Sequence, residues 1–202
     1  MSPIEFWYEF SSTYSYLAAM RIGPLARAAG RTILWRPFLL GPIFAERGWT
    51  TSPFNIYEDK GRYMWRDVAR EAEAAGLAFR RPSRFPVNTV LGARVALLGV
   101  DEGWVEPFTR ALYSSYFVDD ADLADPTVVE RALAGIGLDG PAVRARAESA
   151  DHKPRLRAQT DLARSLGIFG APAFLVDGEL FWGNDRLERA LGWRAPPTPP
   201  AT

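Results

Sequence analysis

The chain of 202 residues contains no cysteine and a single histidine, His152. Without a thiol it can form no disulfide, thiolate metal site, iron–sulfur cluster or cysteine nucleophile. A lone imidazole also excludes histidine-rich metal sites, so we expect no metal centre. A dithiol–disulfide oxidoreductase is therefore excluded by composition.

The sequence also lacks an excess of charge and a long apolar run. The 24 basic residues balance the 24 acidic ones, so no net field attracts phosphates and nucleic acid is not an expected partner. No apolar run approaches the roughly 18 residues of a membrane span, and no signal-peptide pattern opens the chain. We therefore expect a cytoplasmic protein without a membrane partner, although a cysteine-free chain fits an oxidising compartment equally well.

The first forty residues read as strand, helix and strand. Apolar residues alternate from Ile4 to Phe10, which is typical of a strand. Ser11 and Ser12 follow at a position suited to capping a helix. Gly23-Pro24 is expected to interrupt that helix, and Thr32 to Phe38 reads as a second strand.

The C-terminal part has a complementary pattern. Leu156 to Leu166 is predicted to be helical, and two short strands, Ala173 to Val176 and Glu179 to Trp182, flank Asp177-Gly178, which suits a type I′ hairpin. Asn184 or Asp185 is expected to cap a last helix. The tail beyond it contains four prolines and is predicted to be extended: Pro196, Pro197, Pro199 and Pro200.

The middle of the chain shows helical periodicity and no convincing strand. Helices are predicted at Tyr63 to Gly76, Val90 to Leu98, Trp104 to Tyr116, Thr127 to Leu133 and Ala142 to Ser149. We therefore predict an α/β domain made of residues 1–44 and 155–202, with a helical domain, residues 45–154, inserted into it.

The candidate site residues lie at three points where one predicted element meets the next. Ser12 is predicted at a helix N-terminus, where free N–H groups and the helix dipole favour an anion such as a thiolate, carboxylate or phosphate, although this segment alone favours simple capping. A cis Ala171–Pro172 bond at the start of a strand would leave the main chain of Ala171 free to pair with a peptide-like ligand. Asp185 either caps its own helix or accepts an ammonium group from a ligand.

This order of elements is that of a thioredoxin-like fold with an all-helical domain inserted between its second strand and the following helix. The sequence resembles the glutathione-dependent 2-hydroxychromene-2-carboxylate isomerases, relatives of the kappa-class glutathione transferases and the DsbA-like oxidoreductases. The resemblance covers nearly the whole chain. Its most specific segments are FWYEFSSTYSYLA, LLGPIF, KGRYMWRD and GIFGAPAFLVDGELFWGNDRL.

The resemblance implies that Ser12 and Ser15 stand where redox relatives have the two cysteines of a CxxC motif. It implies that Ser12 is catalytic and holds the glutathione sulfur as a thiolate, which a hydroxyl donor at a helix N-terminus stabilises. Thr13 departs from the proline of many members. The other implied glutathione-binding residues are Lys60, Ala171, Pro172, Trp182, Gly183, Asn184 and Asp185, and Asn55 and Asn88 are implied to face the substrate.

The implied reaction is reversible addition of the glutathione thiolate to a conjugated, aromatic-derived carboxylate, which allows isomerisation before the thiol leaves. Two alternatives stay open: a kappa-like transferase that keeps the thioether product, and a non-catalytic thioredoxin-fold protein that binds thiols or peptides. Relatives are commonly dimers, so a homodimer is expected.

Four other signals are interpreted as structural. The GxGxxG spacing at residues 135–140 is expected to be an interhelical turn, because no βαβ unit surrounds it. The four aspartates between residues 119 and 125 lack the glycine and glutamate of a calcium loop and are expected to be a solvated connection. The arginines at 80, 81 and 84 are expected to lie in a solvated loop, and His152 at the surface.

Overall fold

The computed structural model of the protein describes residues 2–195, and the proline-rich tail predicted to be extended lies outside them. In chain order the elements are β1 (Ile4–Tyr8), α1 (Thr13–Ala28), β2 (Ile33–Pro37), α2 (Leu40–Ala45), α3 (Pro53–Ile56), α4 (Glu58–Ala74), α5 (Val90–Glu102), α6 (Val105–Phe117), α7 (Pro126–Ala134), α8 (Gly140–Ala147), α9 (Lys153–Ser165), β3 (Ala173–Val176), β4 (Glu179–Trp182), a 3₁₀ turn (Asn184–Arg186) and α10 (Leu187–Leu191).

The strands form a four-stranded mixed sheet in the order β2-β1-β3-β4. β1 runs parallel to β2 and antiparallel to β3, and β3 and β4 form a hairpin. Asp177 and Gly178 have positive φ angles of 52° and 82°, so the predicted type I′ turn is confirmed. Phe6, Trp7 and Tyr8 are fully buried, because both faces of the central strand are covered.

Helix α1 runs without a break through Pro24, so the predicted interruption at Gly23-Pro24 is wrong. A proline removes one N–H from the helix ladder, but the buried face of α1, including Leu17, Ile22 and Ala26, packs on the core on both sides of it. The tertiary packing therefore outweighs the local signal that favours a break.

The predicted helices of the middle are all present, with ends that differ by a few residues. Two short helices, α2 and α3, were not predicted. In the described part of the chain no strand occurs between β2 and β3. One hydrophobic cluster joins sheet residues such as Phe6 to helical residues such as Phe108 and Leu133. The division into residues 1–44 with 155–202 and residues 45–154 stays a prediction about domains.

The segment with GxGxxG spacing connects α7 to α8, as predicted. Gly135 is the C-cap residue of α7, and Gly137 has a φ of 84°. Asp139 caps α8 by accepting a hydrogen bond from the Ala142 amide at 3.0 Å. The segment lies between two helices, in a geometry different from that of a dinucleotide-binding loop.

The arginines at 80, 81 and 84 are exposed, as expected, and the aspartates of the acidic connection are exposed or partly exposed, but the two segments also contact each other. Asp120 accepts a hydrogen bond from the Ser83 amide at 2.6 Å and pairs with Arg80 at 3.4 Å. Asp122 pairs with Arg84 at 2.8 Å. Arg81 lies over the ring of Trp65. These contacts hold the segment before α5 against the loop after α6, because opposite charges face each other across the two loops.

His152 is buried rather than at the surface, with 6% of its area exposed. Its Nε2 lies 2.7 Å from the Arg94 carbonyl, and its Nδ1 lies 3.5 Å from the Arg155 guanidinium. The ring therefore joins the start of α9 to α5. Its role in the described structure is to connect two helices.

Membrane-spanning helices and metal-binding clusters are both absent from residues 2–195. None of the helices there is both long and apolar enough to cross a lipid bilayer. No cluster of three or more histidine, aspartate or glutamate side chains arranged to hold a metal ion occurs in the same residues.

Candidate functional site

A cleft of about 1440 Å³ is lined by residues from both the sheet and the helical part of the chain. One side, which we call the sheet wall, consists of Ser12, Ala171 and residues 182–185. A second group of lining residues, which we call the helical wall, is apolar and consists of Phe44, Trp49, Phe54, Phe85 and Val87. The structure thus brings the widely separated sequence motifs to one place.

Ser12 is the N-cap residue of α1, as the sequence predicts. Its Oγ accepts a hydrogen bond from the Ser15 amide at 3.2 Å and donates one to the Ala171 carbonyl at 3.0 Å. The first-turn amides of Thr13 and Tyr14 find no acceptor among residues 2–195. These amides and the dipole of a 16-residue helix make the position beside Ser12 favourable for an anion.

The Ala171–Pro172 peptide bond is cis. The Pro172 carbonyl accepts a hydrogen bond from the Gly183 amide at 3.0 Å, which joins the starts of the two loops at this end of the sheet. Pro172 is buried, and Ala171 lines the cleft. The Ala171 amide has no acceptor within the described chain, so it can donate to an extended, peptide-like ligand.

The segment after β4 forms the outer part of the sheet wall. Trp182 is 54% exposed and packs against Phe169 in a tilted arrangement with a centroid distance of 4.8 Å. A Cβ at Gly170 would lie 2.5 Å from the Trp182 indole nitrogen, so only glycine fits beneath this ring. Gly183 has a φ of 111°, which lets the chain turn from β4 into the 3₁₀ turn.

Neither Asn184 nor Asp185 caps the last helix with its side chain, so that expectation is wrong. Asn184 is buried, and its Oδ1 accepts a hydrogen bond from Arg21 of α1 at 3.2 Å. Arg21 also pairs with Glu188. Asp185 is exposed and pairs with Arg186 at 2.7 Å. Both residues belong to the cleft lining, and the chain enters the helix through a 3₁₀ turn that leaves them outside its N-terminus.

Lys60 lines the cleft from the first turn of α4. Its ammonium group lies 5.0 Å from the ring centre of Tyr57 and has no acidic partner within residues 2–195. Asn88 also lines the cleft, where its Oδ1 accepts a hydrogen bond from the Val90 amide at the start of α5. Asn55 is not in the cleft lining, and its amide donates to the Phe85 carbonyl at 3.0 Å.

Ser15, the second serine of the predicted motif, is fully buried below the cleft. Its hydroxyl has no hydrogen-bond partner among the described residues. It therefore contacts neither the cleft nor Ser12 through its side-chain hydroxyl, although its amide is capped by Ser12.

Sequence reasoning missed Glu9, which lines the cleft but is only 7% exposed. Its carboxylate accepts hydrogen bonds from the Ser11 amide at 2.9 Å and from the Thr89 hydroxyl. Burial raises the pKa of Glu9 to about 7, and the two hydrogen bonds oppose that rise. The strand pattern places Glu9 opposite the apolar face, and nothing in that pattern indicates burial by a distant helix.

Tyr14 was also missed. Its hydroxyl donates to Asp67 of α4 at 2.8 Å, and Asp67 in turn pairs with Arg70. Burial, followed by the hydrogen bond to Asp67, raises the pKa of the Tyr14 phenol above its usual value. Tyr14 and Asp67 both line the cleft, so this pair makes one side of it polar and keeps the phenol protonated.

The fold agrees with comparisons with known proteins. A family model described as a DsbA-like thioredoxin domain matches residues 3–192. The chain belongs to the DsbA-like thioredoxin family. As a DsbA-like chain without cysteine, it cannot carry out dithiol exchange with its own side chains.

Several relatives match this DsbA-like chain over nearly its whole length. A 2-hydroxychromene-2-carboxylate isomerase from Sphingobium xenophagum is 29% identical over 185 residues, covering 92% of this chain and 94% of that protein. Glutathione S-transferase kappa 2 from Caenorhabditis elegans is 24% identical and covers 96% of this chain and 92% of its own length. A solved 2-hydroxychromene-2-carboxylate isomerase shares the fold with a TM-score of 0.82 at 24% identity, covering 95% of each chain.

Proposed function

We propose that the protein is a glutathione-dependent isomerase of 2-hydroxychromene-2-carboxylate-type intermediates of aromatic catabolism. The observation that carries this proposal is the position of the Ser12 hydroxyl, at the N-terminus of α1 and 3.0 Å from the main chain of Ala171. A relative named as such an isomerase matches over most of the chain, and this supports the reaction class.

The cleft has groups suited to a thiol tripeptide. The Ala171 amide can pair with the main chain of the ligand, and Ser12 with the free amides of Thr13 and Tyr14 can stabilise a thiolate. Lys60 supplies a cation without an acidic partner in the described chain, which suits a ligand carboxylate. Asp185 lies in the cleft lining, and its exposed carboxylate suits the ammonium group of the γ-glutamyl end.

Ser12 donates to the Ala171 carbonyl in this structure, so its hydroxyl must rotate before it can donate to sulfur. A hydroxyl rotor turns at little cost, because rotation about the Cβ–Oγ single bond has a low barrier. Ser12 therefore acts as a hydrogen-bond donor that lowers the pKa of the thiol, and it forms no covalent bond with the substrate. Bound glutathione supplies a thiolate that adds reversibly to a conjugated double bond.

The helical wall suits an aromatic second substrate. Its lining is apolar and aromatic, with Asn88 as a polar group at the start of α5. An apolar wall with few polar groups excludes water and positions a flat substrate without reacting with it. The protein thus contributes thiolate stabilisation from one wall and orientation from the other.

The decisive experiment is glutathione-dependent isomerisation with Ser12→Ala. We expect turnover to fall on the order of 100-fold, as for loss of one donor to a developing anion. Loss of the cap costs stability as well, about 1 kcal/mol, so a matched variant is required. Asp125→Ala removes a cap of the same kind from α7, away from the cleft, and should keep full glutathione-dependent turnover.

Two results would contradict the proposal. Isomerisation that proceeds equally well without glutathione, or that Ser12→Ala leaves unchanged, excludes the mechanism. Accumulation of a stable thioether with an electrophilic aromatic substrate favours the kappa-like transferase, in line with the kappa-class relative. A protein that binds peptides but shows no saturable, Ser12-dependent affinity for glutathione is the non-catalytic binding protein.

The expected homodimer can be checked by light scattering.

A further inference from the structure

Glu9 is a buried residue of the cleft lining. Its Oε2 accepts from the Ser11 amide at 2.9 Å, next to Ser12, and its Oε1 accepts from Thr89, next to Asn88. The Ser12 amide donates to the Glu9 carbonyl at 3.0 Å, so Glu9 and Ser12 belong to one hydrogen-bonded turn. Both residues line the same cleft.

The other acidic residues of the lining differ from Glu9 in exposure or partner. Asp59 pairs with Arg62, Asp67 with Arg70 and Asp185 with Arg186. Glu71 is exposed. Among the described residues Glu9 has no cationic partner. The only histidine, His152, is not part of the cleft lining.

The groups that face Glu9 are neutral. Ser11 and Thr89 are uncharged donors, and the Tyr113 hydroxyl of α6 donates to the Glu9 carbonyl at 2.9 Å. Burial raises the pKa of the Tyr113 and Tyr116 phenols above their usual values, so both remain protonated near neutral pH. The ionised Glu9 carboxylate is therefore stabilised by two hydrogen bonds alone, which is consistent with its pKa of about 7.

We propose that Glu9 is the internal proton acceptor of this site, which takes the proton of the glutathione thiol as the thiolate forms beside Ser12. This inference rests on the proposed function. The S–H bond breaks, its electron pair stays on sulfur, and the proton bonds to a carboxylate oxygen of Glu9. The same proton returns to sulfur when the thiol leaves the product.

The physical reason for this proton transfer is the negative charge that would otherwise accumulate near Ser12 and Glu9. A thiolate beside Ser12 and an ionised Glu9 would place two anions in the same cleft lining, and the burial of Glu9 weakens the screening of their repulsion. Transfer of the proton from sulfur to Glu9 moves the negative charge to the helix N-terminus and leaves the net charge unchanged. The two groups therefore titrate as a coupled pair.

The first test measures protons rather than activity. Glutathione binding is followed by the ultraviolet absorbance of the thiolate, and an indicator dye in weak buffer counts the protons released. Above pH 7 the wild-type protein should form thiolate with little release of protons, whereas Glu9→Gln should release about one proton per thiolate.

Infrared difference spectra should show a protonated carboxyl group appearing in the wild-type protein when glutathione binds. Glu130→Gln, outside the cleft lining, is the matched control.

Thr89→Val tests the same idea without changing Glu9. Loss of the Thr89 donor should raise the pKa of Glu9, so the acid limb of kcat/KM for glutathione-dependent turnover should move from about pH 7 to higher pH. Thr160→Val removes a buried hydroxyl outside the cleft and should leave that limb in place. A purely structural role of Thr89 would lower activity at every pH without moving the limb.

The outcomes separate the two proposals. If the wild-type protein shows no Ser12-dependent glutathione binding, the proposed function fails. If it binds and turns over as proposed, but Glu9→Gln and the wild type release equal numbers of protons per thiolate, the role of Glu9 is wrong. If Glu9→Gln does not fold, the infrared signal of the wild type and the Thr89→Val profile decide: no carboxyl signal and an unmoved limb overturn the inference.

Discussion

The two walls of the cleft are built in different ways. The sheet wall presents backbone groups and small polar side chains, namely the Ser12 hydroxyl, the Ala171 amide and the segment after β4. The helical wall presents large apolar side chains such as Phe54 and Phe85. Backbone groups and a helix dipole suit a peptide-like thiol whatever its reaction, whereas apolar side chains select the second substrate by shape. We expect the two walls to be separable by mutation.

The largest expected effect concerns Glu9, whose carboxylate accepts hydrogen bonds from the Ser11 amide and the Thr89 hydroxyl. Its folded pKa is raised from 4.5 to about 7, so the stability that its neutral form provides is fully present below pH 4.5 and is lost as the pH rises through 7. This rise in the pKa of Glu9 corresponds to about 3 kcal/mol in the free energy of unfolding.

The free energy of unfolding of the wild-type protein, measured by urea titration, should therefore fall by up to about 3 kcal/mol relative to Glu9→Gln between pH 4 and pH 8. Parallel pH dependences for the two proteins would show that Glu9 has an ordinary pKa. Glu130→Gln, an exchange at a carboxylate paired with Arg144, controls for general pH effects.

The next effect tests the helical wall alone. Phe85 packs edge-on against Trp65 and lines the cleft. Phe85→Ala should weaken binding of the aromatic substrate by about 2 kcal/mol, since it removes a large apolar contact, while the Kd for glutathione stays the same. Phe79→Ala truncates a partly buried phenylalanine outside the cleft lining and is the matched control. Equal losses for both ligands would mean that the walls are not independent.

A smaller effect is expected at the sheet wall. Arg21 donates to the Asn184 side chain at 3.2 Å and so fixes its orientation in the cleft. Arg21→Ala should weaken glutathione binding by about 1 kcal/mol, with kcat unchanged at saturation, since one positioning hydrogen bond is lost. Calorimetry measures this directly. Arg27→Ala, on the same helix, is the control. An equal loss of glutathione affinity in that variant would show that Arg21 does not act through Asn184.

The smallest effect separates the two predicted substrate residues. Asn55 is exposed and holds the Phe85 carbonyl from behind the helical wall, whereas Asn88 lines the cleft. Asn55→Ala should change the KM of the aromatic substrate by less than about threefold. Asn88→Ala should change that KM by more than about threefold, because Asn88 lines the cleft and Asn55 does not. Steady-state kinetics with both variants checks this, and the reverse order would place the substrate against Asn55.

Much of the sheet wall is predictable because its signals are local. A serine cap, a proline that starts a strand and an Asp-Gly hairpin all depend on residues close together in the chain. The same local logic fails at Pro24 and at Asp185. At Pro24 the packing of α1 on the core keeps the helix continuous, and at Asp185 a 3₁₀ turn leaves the side chain outside the helix cap.

By itself the sequence determines that the protein has no thiol of its own, that Ser12 stands at the start of a helix, and that the elements follow the thioredoxin order. Composition and local hydrogen bonding suffice for these conclusions. Only the tertiary structure shows that Glu9 is buried in the cleft lining and that Asn184 accepts a hydrogen bond from Arg21. It also shows that Asn55 lies outside the cleft lining. Burial and desolvation depend on residues far apart in the chain, such as Glu9 and Thr89, which only folding brings together.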